Sequence, residues 1–205
     1  MTEPLISGRA HLAALQGPLA ALDHDIERID SWGRRLARTL LGGGRLLAAG
    51  NGGSAAQAQH LTSELVGRYL GERPPLSALA LHADTSSLTS IVNDYGADLG
   101  FARQVRAHGR PGDVLVVLST SGRSSNVIRA VEAANEADLT TWGLTGRAPN
   151  PVTALCHESL IVDAPATATV QEVHQVVIHL VCAAVELEVD EFLRDRSVAT
   201  GLPVA

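Results

Sequence analysis

The sequence of 205 residues is poor in aromatic residues, in cysteine and in long apolar runs. Aromatic side chains are 3% of the residues, so Leu, Val, Ile and Ala must build the core, and no aromatic platform can stack nucleic-acid bases. The two cysteines, Cys156 and Cys182, are too few for a disulfide framework and lack metal-ligand spacing, which fits a reduced compartment. No run of about 18 uninterrupted apolar residues exists, so no transmembrane helix is predicted.

A basic surface is missing as well. The net charge is −6, whereas nucleic-acid-binding proteins usually have a basic footprint. The first residues, Met1 to Pro4, lack the basic segment and apolar core of a signal peptide. These absences predict a cytoplasmic protein that binds neither nucleic acid nor membrane, with enough chain to bury a full core.

Short apolar runs alternate with helical patterns along most of the chain. We predict strands at 46–49, 76–81, 114–118, 140–144 and 159–162, and helices at about 54–67, 85–93, 98–107, 125–137 and 170–194. Strands without polar alternation, separated by helices, are typical of an α/β fold with a parallel sheet buried on both faces. The sequence therefore predicts a single domain at 43–195, in which helices flank a five-stranded parallel sheet.

Two further segments lie outside this alternation. Residues 1–42 predict an N-terminal helical arm, with apolar residues at steps of three and four and a break or kink at Gly17-Pro18. Its free apolar face is available to pack on the domain or on another subunit. Residues 196–205 predict a flexible tail.

The loop at residues 50–54, here called the first loop, follows the first strand. Gly50, Gly52 and Gly53 permit a sharp turn and close backbone approach to a ligand. Ser54 stands where the next helix should begin and is an N-cap candidate. Free N–H groups and the helix dipole favour an anion there, most often a phosphate. The structural alternative is a plain glycine turn before an amphipathic helix.

The loop at residues 119–124, here called the second loop, also follows a strand and precedes a helix. It offers four hydroxyls, from Ser119, Thr120, Ser121 and Ser124, and hydroxyls with helix N–H groups can bind a phosphate monoester without lysine. Ordinary N-capping by Ser and Thr is the structural alternative. Because ligands bind at the carboxyl ends of parallel strands, both loops are candidates for one phosphate site.

Further candidates lie on the helices. His60 and Glu64 are four residues apart and share one helix face. In the last helix, His174 is interpreted as a core histidine, whereas His179 needs a buried partner, because an unpaired polar group in an apolar helix is costly.

The combined motifs closely resemble those of the phosphoheptose isomerases, a family of the sugar-isomerase (SIS) superfamily. The resemblance runs from the N-terminal helices to about Glu188. It rests on Gly50-Asn51-Gly52-Gly53-Ser54-Ala55-Ala56 with His60 and Glu64, Asn93-Asp94-Tyr95-Gly96, Ser119-Thr120-Ser121-Gly122, Leu144-Thr145-Gly146, and Gln171-Glu172 with His174 and His179.

The resemblance implies an aldose–ketose isomerase that converts sedoheptulose 7-phosphate to D-glycero-D-manno-heptose 7-phosphate through an enediol, in nucleotide-activated heptose biosynthesis. It also implies a cytoplasmic homotetramer with active sites at subunit interfaces. By resemblance, Glu64 is the general base and His179 its acid/base partner. The implied sugar ligands are Asn51, Gly52, Gly53, Asn93, Asp94 and Gln171, and the implied phosphate ligands are Ser54, Ser119, Thr120, Ser121 and Ser124. One zinc ion per subunit is implied, held by His60, Glu64, Gln171 and His179.

The implied zinc set poses a geometric problem. Gln171 and His179 are eight residues apart, about 12 Å along a helix axis and roughly 80° around it. Either Gln171 lies in the lead-in to the helix, or the site takes residues from a neighbouring subunit; we favour the second.

The chain also departs from the family pattern in three places. Residues 164–170 lack the acidic residue and Arg often found there, residues 147–151 replace an Asp-Gly-Gly turn, and Arg123 stands where Asn is common. These departures leave the exact substrate and the strength of metal binding open.

Two other functions are weighed against the enzyme. A non-catalytic SIS tetramer that binds a partner protein, such as a replication initiator, would lack the catalytic Glu and final His, whereas this chain has Glu64 and His179. A sugar-phosphate-sensing regulator would usually have an attached DNA-binding domain, which the apolar N-terminal arm is too short to supply. The isomerase is the favoured interpretation.

Overall fold

A computed structural model describes residues 7–200, in which a parallel sheet lies between two layers of helices. The elements are α1 Gly8–Ala21, a 3-10 helix Leu22–Asp25, α2 Ile26–Leu41, β1 Leu46–Gly50, α3 Gly53–Val66, β2 Ala78–Ala80, α4 Thr85–Tyr95, a 3-10 helix Ala97–Leu99, α5 Ala102–His108, β3 Val114–Ser119, α6 Ser125–Glu136, β4 Thr140–Thr145, α7 Pro151–Leu155, β5 Glu158–Ile161 and α8 Thr167–Thr200. The predicted five-stranded α/β fold is confirmed.

The strand order places the two candidate loops side by side. The order is β2-β1-β3-β4-β5, and all neighbouring strands are parallel. Gly50 pairs with Leu118, so β1 and β3 end together. The chain leaves β1 towards one edge of the sheet and β3 towards the other, and a crevice opens at such a switch point. The first and second loops follow these two strands.

Both faces of the sheet are buried, which explains why the strands lack polar alternation. Leu46 and Ala48 face a core shared with α2, α3 and α8. Leu47 and Ala49 face the opposite core, shared with α5 and α6. Successive residues of a strand point to opposite faces, so an apolar residue is needed at every position.

The N-terminal helices differ from the prediction at the expected break. Pro18 lies inside α1, and the regular helix changes to a 3-10 turn only at Leu22–Asp25. Proline removes one backbone bond, but the neighbouring bonds carry the helix through. Leu12 and Leu19 are exposed, while Leu15 and Leu22 pack on a small cluster that includes Val170 and Val173.

The end of the chain and one short helix also differ from the prediction. The last helix, α8, continues past the expected end at Arg194 to Thr200, and the rest of the predicted tail, 201–205, lies outside the described residues. Asn150 and Pro151 start a short helix, α7, which was not predicted; Asn150 caps it and forms a capping box with Thr153. Between residues 7 and 200, we find no helix both long and apolar enough to cross a membrane.

Candidate active site

The N-cap of the helix after the first loop lies two residues earlier than predicted. Gly52 is the N-cap of α3, with φ of +55°, and Ser54 is the second residue of the helix. The prediction of Ser54 as N-cap is therefore wrong: a left-handed backbone at Gly52 makes the turn at little cost, and no side-chain capping bond is formed. Ser54 is buried, and its backbone N–H donates to the Asn51 carbonyl at 3.0 Å.

The two loops enclose an open cavity of about 310 Å³ at the switch point. Nine of its lining residues were predicted as ligands from the sequence: Asn51, Gly52, Gly53, Ser54, Ser119, Thr120, Ser121, Ser124 and Gln171. Leu118 and Thr167 complete the lining. The N-termini of α3 and α6 both face this cavity, so backbone N–H groups, helix dipoles and hydroxyls converge where an anion would lie.

The second loop is shaped by a segment that the sequence did not identify. Gly122 has φ of +60°, and a Cβ built there would lie 2.0 Å from the Asn150 Oδ1 atom, so the position requires glycine. Asn150 is buried, and its amide donates to the Arg147 carbonyl at 3.1 Å. The Ser119 hydroxyl oxygen accepts the Gly122 N–H at 3.1 Å. Ser124 makes no side-chain capping bond, so simple N-capping does not account for its hydroxyl.

A second cluster lies further along α3, where it packs on α8. His60 Nε2 lies 3.0 Å from His179 Nε2 and 3.2 Å from Glu64 Oε1. Potential ligand atoms of these three residues all lie within 4.8 Å of one another. Such a cluster can hold a divalent cation or move protons.

Gln171 is the predicted metal ligand that the structure places elsewhere. It is the fifth residue of α8, so the proposed lead-in before the helix is wrong. Its side chain packs on Gly53, where a Cβ would lie 2.5 Å from Nε2, and it lines the anion cavity. Its carbonyl accepts a hydrogen bond from the Gln57 amide. Within this chain, Gln171 therefore lies at the cavity and not at the cluster.

The contacts between α3 and α8 form one polar seam that joins the cavity to the cluster. The seam begins where Gly53 contacts Gln171, passes Gln57, and ends where His60 contacts His179. From Ser54 to His60 the helix rises about 9 Å. The cavity and the cluster therefore lie along the same seam, separated by about this distance.

Several contacts around the cluster were not predicted from the sequence. The Gln175 amide lies 3.2 Å from His179 Nε2, and the Tyr69 ring stacks on His179 with centroids 5.5 Å apart. The buried Arg73 guanidinium donates to the backbone carbonyls of Glu64 and Leu65, which satisfies the end of α3. Only the four-residue spacing of Gln175 and His179 could have indicated one of these contacts.

Asn93 and Asp94 lie apart from both centres. They are exposed near the end of α4, and the Asn93 amide donates to Asp94 Oδ1 at 2.8 Å. Neither residue lines the cavity, so their predicted contact with a sugar stays a prediction.

His174 is fully buried and faces the Thr145 carbonyl, with Nε2 at 3.3 Å, which confirms its interpretation as a core histidine.

Comparisons with known proteins agree on one family. A model of the SIS domain matches residues 12–146. A phosphoheptose isomerase of Streptomyces coelicolor is 64% identical over 174 residues, which cover 85% of this chain and 75% of the relative. A phosphoheptose isomerase of Thiobacillus denitrificans is 48% identical, covering 85% of this chain and 90% of the relative. The structure of phosphoheptose isomerase GmhA from Neisseria gonorrhoeae superposes with a TM-score of 0.80 at 42% identity, covering 87% of this chain and 96% of that chain.

Proposed function

The chain belongs to the SIS domain family and, within it, to the phosphoheptose isomerases, and we propose that it converts sedoheptulose 7-phosphate to D-glycero-D-manno-heptose 7-phosphate. The observation that carries this substrate is the polar seam, with an anion cavity at one end and a His–Glu–His cluster at the other. A seven-carbon sugar with a terminal phosphate has its reacting carbons at the end far from the phosphate, as this arrangement requires. The product would feed nucleotide-activated heptose biosynthesis.

The cavity supplies binding and orientation. The phosphate accepts hydrogen bonds from the hydroxyls of Ser54, Ser121 and their neighbours in the second loop, and from N–H groups at the two helix N-termini. Gln171 and Asn51 lie beside the cavity and can bind sugar hydroxyls. Because the phosphate is remote from the reacting carbons, its binding energy serves to place C1 and C2 in the cluster.

The cluster supplies proton transfer. Isomerisation moves a proton between C1 and C2 through an enediol. Glu64 takes the proton from one carbon as general base and returns it to the other, while His179 exchanges a proton with the sugar oxygens. His60 lies within hydrogen-bonding distance of both residues and can keep both side chains in position.

The same residues fit a zinc ion. Zn–N distances of about 2.0–2.1 Å in a tetrahedral site separate ligand atoms by about 3.3 Å, and the observed separations are 3.0 Å and 3.2 Å. His60, Glu64 and His179 would hold the ion. Gln171 of this chain lies at the cavity, so the fourth ligand implied by resemblance would have to come from a neighbouring subunit. When bound, zinc supplies polarisation of the substrate's carbonyl and hydroxyl oxygens.

A cytoplasmic homotetramer with active sites at subunit interfaces is part of the proposal. A largely apolar groove of about 490 Å³ supports a subunit interface; it is formed by the segment after α3 and the second half of α8. Leu70 and Leu187 in this groove are 70% and 73% exposed, and exposed apolar patches of this kind mark interaction sites.

Incubation of the purified protein with sedoheptulose 7-phosphate tests the proposal, with the aldose phosphate followed by NMR. We expect turnover, lost on chelation and restored by added zinc. Turnover unaffected by a chelator would refute the metal but leave the isomerase. A lack of turnover in every condition would refute the substrate and favour the alternative, a tetramer that binds a partner protein.

A further inference from the structure

Two asparagine side chains form a closed pair across the switch point. The Asn51 amide donates to Asn126 Oδ1 at 2.9 Å, and the Asn126 amide donates to Asn51 Oδ1 at 2.9 Å. Asn51 is in the first loop and lines the cavity, whereas Asn126 is in the first turn of α6 and does not line it. The pair therefore connects the loop after β1 to the helix that follows the second loop.

The closed pair restrains the Asn51 amide. An amide group has two N–H donors and one carbonyl with two lone pairs. The pair uses one donor and one lone pair of each residue, so Asn51 keeps one N–H and one lone pair for a ligand. A flip of either amide alone would break both hydrogen bonds, because donor would then face donor and acceptor would face acceptor, whereas a flip of both together would restore them. The pair thus holds the plane of the Asn51 amide and couples its direction to that of Asn126.

We propose that Asn126 is a positioning residue that orients Asn51 for its contact with the sugar, an inference that rests on the proposed function. Asn126 does so without touching the substrate. Pre-orientation matters because an amide free to rotate loses conformational freedom on binding, and this cost lowers affinity for both ground and transition states. No sequence pattern indicates this role, since residues 51 and 126 are remote along the chain.

A double-mutant cycle tests the proposal. If Asn126 acts through Asn51, Asn126→Ala lowers kcat/KM about tenfold in the natural chain, as loss of about one oriented hydrogen bond would. The same substitution then has no further effect in an Asn51→Ala background. Equal effects in both backgrounds, or no effect in the natural chain, would overturn the proposal.

Two controls separate positioning from general damage. Asn135 lies in the same helix, where its side chain bonds Thr141 and the Leu155 carbonyl, away from the cavity. Asn135→Ala should leave kcat/KM unchanged when assayed below its unfolding temperature. Inhibition by inorganic phosphate should be equal in the natural chain and Asn126→Ala, because loop hydroxyls and N–H groups bind phosphate. A parallel rise in the inhibition constant would mean that Asn126 instead supports the N-terminus of α6, contrary to the proposal.

A measurement without turnover distinguishes this inference from the proposed function. In protein labelled with ¹⁵N-asparagine, one side-chain amide proton of Asn51 should exchange with water more slowly than its geminal partner. Asn126→Ala should remove this difference, and Asn135→Ala should preserve it. Slow exchange in a protein that does not convert the heptose phosphate would refute the substrate while the positioning pair stands. Equal exchange of both protons in the natural chain would overturn the pair itself.

Discussion

Replacing His174 with glutamine should make the stability of the protein less sensitive to acid. His174 is fully buried in α8, and within the described residues its Nδ1 atom has no hydrogen-bond partner. Burial lowers the pKa of His174 to about 4, partly opposed by the hydrogen bond to the Thr145 carbonyl. The folded protein therefore keeps this side chain neutral over a range of pH in which the unfolded chain, with the ordinary pKa of 6.5, binds a proton.

The sign and size of the effect follow from this difference. The depressed pKa means that the stability contribution is complete above pH 6.5 and is lost as the pH falls from 6.5 towards 4. Each pH unit in this range corresponds to about 1.4 kcal/mol. Between pH 7 and pH 5 the natural protein should lose about 2 kcal/mol through His174, and about 3 kcal/mol by pH 4.

Urea denaturation of the natural protein and of His174→Gln at pH 7 and pH 5 measures this contribution. Glutamine keeps an N–H donor for the Thr145 carbonyl but does not titrate. Both proteins should be compared with chelator present and at one protein concentration, because metal binding and assembly also depend on conditions. The natural protein should lose about 2 kcal/mol more than the variant between the two pH values. Equal losses would refute the buried, neutral histidine as the source.

Three further substitutions test the site and its packing. Glu64→Gln should lower kcat by about 10³-fold, within the range of general acid–base catalysis, while the unfolding temperature changes little; retained turnover would exclude Glu64 as the base. Ser121→Ala should raise KM for the sugar phosphate about tenfold with kcat nearly unchanged, since a hydrogen bond to a charged group is lost; an unchanged KM would count against the second loop. Gly33→Ala should destabilise the protein by about 1–3 kcal/mol in urea denaturation. The new Cβ would lie 2.3 Å from the Ala184 Cβ and 2.9 Å from the Val181 carbonyl oxygen. A stabilised variant would mean that the gain in helix propensity outweighs this crowding.

Local sequence patterns predicted helices and strands well where a single physical requirement determines which residues a segment can contain. The strands are apolar at every position because helices cover both faces of the sheet. The glycine-rich first loop and the hydroxyl-rich second loop were recognised because each joins a strand end to a helix N-terminus, where backbone N–H groups have few hydrogen-bond partners. The family resemblance added the proposed catalytic roles of Glu64 and His179, which no local pattern assigns.

Long-range geometry accounts for what could not be predicted. The order of β1 and β3 in the sheet, which brings the two loops together, depends on crossovers that the sequence does not encode locally. Asn150 supports Gly122 from 28 residues away along the chain, and Asn126 pairs with Asn51 across the switch point. The position of Gln171 against Gly53 depends on how α8 packs on α3. Each of these contacts joins segments whose own patterns are ordinary.

The helix α3 sets the distance between the cavity and the cluster. Its N-terminus lies at the cavity, and Glu64 lies ten residues after Ser54, about 15 Å along the axis. The far end is held by a loop: Arg73 donates to the Glu64 and Leu65 carbonyls, and Glu186 of α8 accepts N–H groups from Tyr69, Leu70 and Gly71. The same loop stacks Tyr69 on His179. Because α3 holds Glu64 and this loop connects it to α8, which holds His179, the spacing of the cavity and the cluster cannot change without breaking α3 or this loop.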